Sequence, residues 1–170
     1  METVQPASGL VVDGDGRVHR PAAARCAAPP ALRAAPVDPG GRAEGARCDR
    51  DADCNQRPYG SCDAANQLGI GACVYGCAAD ADCGSGKLCV CGDGAGRCVS
   101  ASCRADAECG SGQLCARYFP VNANRAAFAC TTARDECHRD CACDGDDGVT
   151  RVCDLDQGAR RCIIGGRRVH

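Results

Sequence analysis

The chain has 170 residues, a formal net charge of −2 and a pI near 5.9, so its charge balance offers nothing to attract a nucleic acid. Leu, Ile, Val and Phe supply 23 residues, about 14%, below the roughly 20% on which an ordinary hydrophobic core depends. Nineteen cysteines must therefore do what burial alone does not, and the composition predicts a small disulfide-rich fold.

Residues 1–47 hold one cysteine, Cys26, and six of the eight prolines. The segment Leu10–Val18 carries Asp13-Gly-Asp-Gly16 at its centre, a tight-turn sequence that predicts a small hairpin over 10–18. The two aspartates are not followed by the glutamate that closes a calcium loop. The rest of 1–47 reads as a Pro/Ala-rich linker or stalk. Met1–Leu10 has neither the basic nor the apolar region of a secretory signal. Oxidised cysteines imply export nonetheless, so the expectation is a start site upstream or a place in a longer exported protein. No run of 18 apolar residues occurs, and no membrane span is expected.

From Cys48 the chain repeats itself. Repeat one, over 48–76, begins Cys48-Asp-Arg-Asp51-Ala-Asp53-Cys54 and continues through Cys62 to Cys73. Repeat two, over 77–102, carries Cys77, Asp80, Asp82, Cys83, Cys89 and Cys98. Repeat three, over 103–136, carries Cys103, Asp106, Glu108, Cys109, Cys115 and Cys130. Repeat four, over 137–162, is degenerate and keeps Cys137, Asp140, Cys143, Cys153 and Cys162. A basic tail, with Arg167 and Arg168, fills 163–170.

Each repeat thus offers four framework cysteines, and Cys26, Cys91 and Cys141 stand outside the frame. Four cysteines allow three pairings. First-to-third with second-to-fourth is preferred, because interleaved loops lock a small unit more tightly than nested ones. Cys91 and Cys141 could bond each other, and Cys26 could join two chains as a disulfide-linked dimer. The aspartate three places after each first cysteine (Asp51, Asp80, Asp106, Asp140) is expected to accept a backbone N–H and cap the turn that carries the second cysteine. Two acidic residues per repeat fall short of the six or more oxygens that calcium requires. The Gly-Ser-Gly of repeats two and three frees the backbone for the reversal toward the third cysteine.

Metal binding is the sharpest rival to disulfides. Cys137, His138, Cys141 and Cys143 crowd soft ligands together, yet Cys-x-x-Cys, the chelating spacing of zinc ribbons and knuckles, occurs nowhere. No metal and no cofactor is expected. The three histidines, His19, His138 and His170, share no recognisable frame with a nucleophile, and no phosphate-cradling loop is present. Catalytic residues are accordingly not predicted. One segment suggests a binding loop: Arg117, Tyr118, Phe119, Arg125 and Phe128, with three of the chain's five aromatics, combine the residue types of interface hot spots. The same rings would equally serve as the miniature core of repeat three.

The pattern Cys-x-x-Asp-x-[Asp/Glu]-Cys-x-x-Gly-x-x-Cys in Cys77–Cys89 and Cys103–Cys115 resembles the Dickkopf N-terminal cysteine-rich domain, and is similar to repeats of exported bacterial proteins. The adjacent cysteine doublet of that family is absent; Cys89-Val-Cys91 stands in its place. The Cys-x5-Cys-x5-Cys spacing, with Lys87 before the third cysteine, also resembles the whey-acidic-protein four-disulfide core, which would imply a serine-protease inhibitor. The reading that follows is an exported or cell-surface array that recognises an unknown protein partner, or spaces other domains, without catalysis. Protease inhibition and thiol-based metal binding are the alternatives.

Overall fold

The computed structural model describes residues 3–5 (backbone), 9–26, 36–63, 70–92, 95–120, 125–138, 143 and 151–164. Among the described residues twelve short strands carry the fold: β1 (Thr3–Gln5), β2 (Leu10–Val12), β3 (Val18–His19), β4 (Arg47–Cys48), β5 (Gly60–Asp63), β6 (Gly71–Cys77), β7 (Lys87–Val90), β8 (Gly96–Ser100), β9 (Cys115–Tyr118), β10 (Ala127–Cys130), β11 (Arg151–Asp156) and β12 (Ala159–Ile164). Beside them lie single 3₁₀ turns at Asp51–Asp53, Asp80–Asp82 and Asp106–Glu108, and among the described residues no helix is long and apolar enough to cross a membrane. The chain forms two compact bodies: a continuous one, Ala24–Cys98, and a discontinuous one, Met1–Ala23 with Val99–His170.

Among the described residues nine disulfides, all within the chain, staple these strands. Cys48–Cys62 and Cys54–Cys73 close repeat one, Cys77–Cys89 and Cys83–Cys98 repeat two. Cys103–Cys115 and Cys109–Cys130 close repeat three, Cys137–Cys153 and Cys143–Cys162 repeat four. Every repeat thus joins first to third and second to fourth. The sulfurs of the first, second and fourth cysteines lie within 4.8 Å of one another in repeats one to three, and those of the first, second and third in repeat four, so the two bridges pack side by side. That packed sulfur is the core: Cys48, Cys54 and Cys73 cluster with Tyr75 in repeat one, and Cys77, Cys83 and Cys89 with Cys26 and Cys91 in repeat two. Each bridge over a loop of this length is worth about 3 kcal/mol through restriction of the unfolded chain.

The ninth disulfide is Cys26–Cys91, which corrects two expectations. Cys91 does not bond Cys141, and Cys26 is not available to link a second chain. The Cys26 N–H donates to the Ala78 carbonyl at 2.8 Å, and this backbone bond delivers its sulfur to repeat two. There it lies 3.5 Å from Cys89 Sγ. Only glycine fits opposite these sulfurs, since a Cβ at Gly96 would stand 2.6 Å from Cys89 Sγ and 2.8 Å from Cys26 Sγ. Cys141 lies outside the described residues.

The acidic frame has a repeated geometry. In each 3₁₀ turn the second cysteine's N–H donates to the carbonyl of the first acidic residue, Cys54 to Asp51, Cys83 to Asp80 and Cys109 to Asp106. The side chain of that residue serves elsewhere: Oδ1 of Asp51, Asp80 and Asp106 accepts the N–H of the third cysteine, Cys62, Cys89 and Cys115, at 2.8, 2.8 and 2.7 Å. The carboxylate expected to cap the turn thus accepts a backbone N–H from the returning strand instead. The second acidic residue closes the other side, with Asp82 Oδ2 accepting the N–H groups of Ala78 and Ala79, and Glu108 Oε2 that of Arg104. Asp53 accepts from Asp49 and Arg50, and the Asp49 N–H above all holds its carboxyl below the ordinary value. Gly86 and Gly112, at φ of +70° and +73°, make the reversals that Gly-Ser-Gly predicts. Asp140 lies outside the described residues.

The N-terminal stretch is bound structure over its described residues, and not a linker. The expected hairpin forms, with Val11 opposite His19 and Val12 opposite Val18. It continues into repeat three through His19 opposite Ala116, giving a sheet of order β1-β2-β3-β9-β10. Arg20 is buried beside it, its Nη1 donating to the Arg104 carbonyl at 2.9 Å. In the continuous body, Asp38 and Arg42 donate backbone N–H bonds to Asn55 and Asp53 of repeat one, and β4 pairs with β6 in the sheet β4-β6-β8-β7. Backbone pairing of this kind leaves no mark on composition. Tyr75 supplies the missing apolar mass there, with the Arg57 guanidinium 4.7 Å from its ring centroid and its hydroxyl donating to the Arg42 carbonyl. At the C-terminal end, β12 runs to Ile164, two residues into the expected tail.

Replacing Asp80 by Ala removes a charged acceptor from the Cys89 N–H and should lower stability by about 1.5–3 kcal/mol. Asp80→Asn, whose amide oxygen still accepts, should cost less. Urea denaturation of both variants with disulfides intact measures the difference.

Candidate binding groove

Repeats three and four, with the N-terminal hairpin, surround a groove of about 320 Å³ in the discontinuous body. Its lining comes from five places in the chain: Arg17 from the β2–β3 turn, Ser111–Gln113 from the turn before β9, Ala116 and Arg117 from β9, Thr131–Ala133 and Asp135–His138 from the segment after β10, and Arg160 from β12. The strands fix these positions because Ala116 is held on both sides, opposite His19 and opposite Ala129.

Most charges in the groove are already neutralised. Arg17 donates from Nε to Asp13 and from Nη2 to Asp15, both at 2.6 Å. Asp13 is held below its ordinary pKa: burial would raise it, but the Arg17 side chain, backbone N–H and charge outweigh burial. Arg160 is 1% exposed. Its Nη1 meets Asp135 Oδ2 at 2.8 Å, and its Nη2 donates to the carbonyls of Ala116 and Ala129 at 2.9 and 2.8 Å. One guanidinium thereby ties the β11–β12 hairpin of repeat four to the β9–β10 hairpin of repeat three. Asp135 also receives the Arg160 N–H and the Thr132 N–H and hydroxyl. Burial works to raise its carboxyl, and these hydrogen bonds with the Arg160 charge pull it below the ordinary value. Arg161 stands 3.8 Å from Glu136.

Arg117 is different. It is half-buried, faces Phe119 with 5.3 Å between guanidinium carbon and ring centroid, and meets no carboxylate among the described residues. Burial alone pushes its guanidinium below the ordinary pKa. The five residues expected to make a binding loop are therefore divided. Phe128 is core, 1% exposed. Tyr118 is half-buried, 5.9 Å from the Arg160 guanidinium. Its hydroxyl is pushed up by burial and by Asp154 against a smaller lowering by Arg160. Phe119 remains 37% exposed and Arg125 is exposed. Residues 121–124 lie outside the described set. Only Arg117 of the five lines the groove.

Cys137 and Cys143 are consumed in disulfides and offer no thiolate to a metal in this oxidised chain, while His138 lines the groove. His19 Nδ1 lies 2.8 Å from Asp106 Oδ2, a pairing that elsewhere orients a general base. Here the imidazole side chain is 6% exposed and its Nε2 is buried, so the pair docks β3 onto repeat three. Lys87 sits in β7 with its ammonium 3.6 Å from Glu44. Arg17, Ser111, Gln113, Thr132 and Arg160 went unnoticed in the sequence, where nothing links positions so far apart. Compared with protein-family models, curated proteins and solved structures, the chain matches none.

Replacing Arg160 by Met keeps its bulk and strands the Asp135 carboxylate and two carbonyls, so stability should fall by about 3–5 kcal/mol, read as a lowered denaturation midpoint at neutral pH. Because the Asp135 carboxyl is held below its ordinary value in the folded chain, the stability it contributes is whole well above the unfolded pKa and is lost as pH falls through the folded one. Asp135→Asn should therefore flatten the acid limb of the stability profile between about pH 5 and pH 2, measured by denaturation at stepped pH.

Proposed function

We propose that this chain is an exported, disulfide-stapled module that recognises a protein in the extracellular space or at a cell surface, without chemistry of its own. The observation that carries this reading is the core itself. In repeats one, two and four the buried clusters consist of cystine sulfur with little else, so the fold depends on an oxidising compartment. A cystine-locked scaffold loses little further entropy on binding, which suits it to present a preformed surface. A spacer role uses the same rigidity; the polar groove with its unneutralised arginine favours recognition. The likeness of repeats two and three to Dickkopf-type cysteine-rich domains agrees with an extracellular setting and carries no receptor with it.

Protein made in an oxidising compartment should gain about 18 Da on reduction, two hydrogens for each of nine bridges. Intact mass before and after reduction, with thiol alkylation, measures this, and fractionation of the native host should find the chain outside the cytoplasm. Mostly free thiols, or additional mass from a bound metal, would overturn the reading in favour of metal binding.

A further inference from the structure

We infer that the groove around Arg117 is a subsite for a single carboxylate carried by an acidic peptide segment of the partner. This deepens the recognition reading above and rests on it. The other arginines of the groove have carboxylate partners within the body: Arg17 with Asp13 and Asp15, Arg160 with Asp135. Arg117 has none among the described residues, although it is half-buried, and an arginine withdrawn from water without an anion is uncommon because its desolvation goes uncompensated. Its planar fork suits a carboxylate, which accepts two parallel N–H bonds.

The surroundings limit the charge of the guest. Asp135 and Glu136 line the same groove, and Asp13 and Asp15 flank Arg17. A phosphate or sulfate dianion would meet these carboxylates with only one uncommitted guanidinium to offset them. Among the side chains that line the groove itself, three guanidiniums face two carboxylates, and a monoanion balances that one excess charge. The volume, about 320 Å³, lies at the small end of ligand pockets and takes one or two side chains. Phe119, 37% exposed and stacked on Arg117, extends the polar groove with an apolar platform. Arginine beside an exposed aromatic is the pairing that protein interfaces favour over small-ion sites. The source assigned to the carboxylate is therefore an Asp or Glu side chain of a peptide, and not a free acid.

The test uses the full oxidised chain labelled with ¹⁵N, titrated with a Gly/Asp/Glu heptapeptide, with its Gly/Asn/Gln counterpart, and with free glutamate. The acidic peptide should shift the amides of Ser111, Gln113 and Thr132 and bind about tenfold or more tighter than the neutral one. Arg117→Gln should abolish that preference, while Arg97→Gln, an exposed arginine of the other body, should keep it. Equal binding of both peptides, or a preference that survives Arg117→Gln, would overturn the proposal. Free glutamate binding as tightly as the acidic peptide would overturn the peptide source. The wild-type shift map decides even if Arg117→Gln fails to fold. A chain that carries its nine disulfides yet ignores the acidic peptide loses the carboxylate subsite and keeps the recognition reading, whereas free thiols in the native compartment remove both.

Discussion

Two crossed disulfides, lying sulfur against sulfur and tied by one aspartate carboxylate to the strand that returns between them, form the unit on which the rest of this protein depends. The first bridge brings the third cysteine back beside the 3₁₀ turn, and the carboxylate of Asp51, Asp80 or Asp106 then accepts that cysteine's N–H. Neither contact is effective without the other. The bridge alone leaves the strand free to rotate about its sulfur, and the carboxylate alone acts across a loop of about ten residues whose closure entropy exceeds the worth of one hydrogen bond. Together they fix both position and register. A chain with so few large apolar side chains has no other means of doing so at this size.

Such units are small, and joining them raises a second problem, because strands with sulfur cores have little apolar surface left to bury against one another. The discontinuous body solves it with polar contacts placed out of water. Arg160 spans from repeat four to the carbonyls of Ala116 and Ala129 in repeat three. The His19–Asp106 contact and the buried Arg20 fasten the N-terminal hairpin to the same repeat. Buried charges are poor generators of net stability but strict enforcers of geometry. That suits a protein whose covalent cross-links already supply the stability and whose remaining need is one defined arrangement.

How far these features were legible differs by kind. The cysteine frame could be read directly from local spacing, and Gly-Ser-Gly marked the reversals, whereas the interleaved pairing was one preference among three that spacing alone leaves open. Asp80 was legible as an acceptor, but its donor was not. The Cys89 N–H reaches it through a disulfide, and a local reading looks only along the chain. Cys26 was misread for a related reason: 65 residues separate it from Cys91, and no motif announces a backbone bond to Ala78. The Pro/Ala-rich start looked like a linker because the ladder of β3 on β9 is made by backbone groups that every residue possesses. Phe128 and Phe119 looked alike in sequence, and only the register of β10 separates the buried ring from the exposed one.

The groove illustrates the same limit and what it implies for function. Its lining is assembled from segments more than a hundred residues apart, and its singular residue, Arg117, looks ordinary among nineteen arginines. What distinguishes it is the pairing of its neighbours. Once Arg17 and Arg160 are assigned to their aspartates, the charge that remains is local, half-buried and directed by a stacked ring. Asp135 and Glu136 line the same groove but stand against Arg160 and Arg161, so among the described residues Arg117 has no carboxylate partner. An uncompensated charge on a mobile surface is commonplace, since water and rotation relieve it. On a cystine-locked wall the backbone relieves it less, and this is the imbalance that the proposed carboxylate would answer.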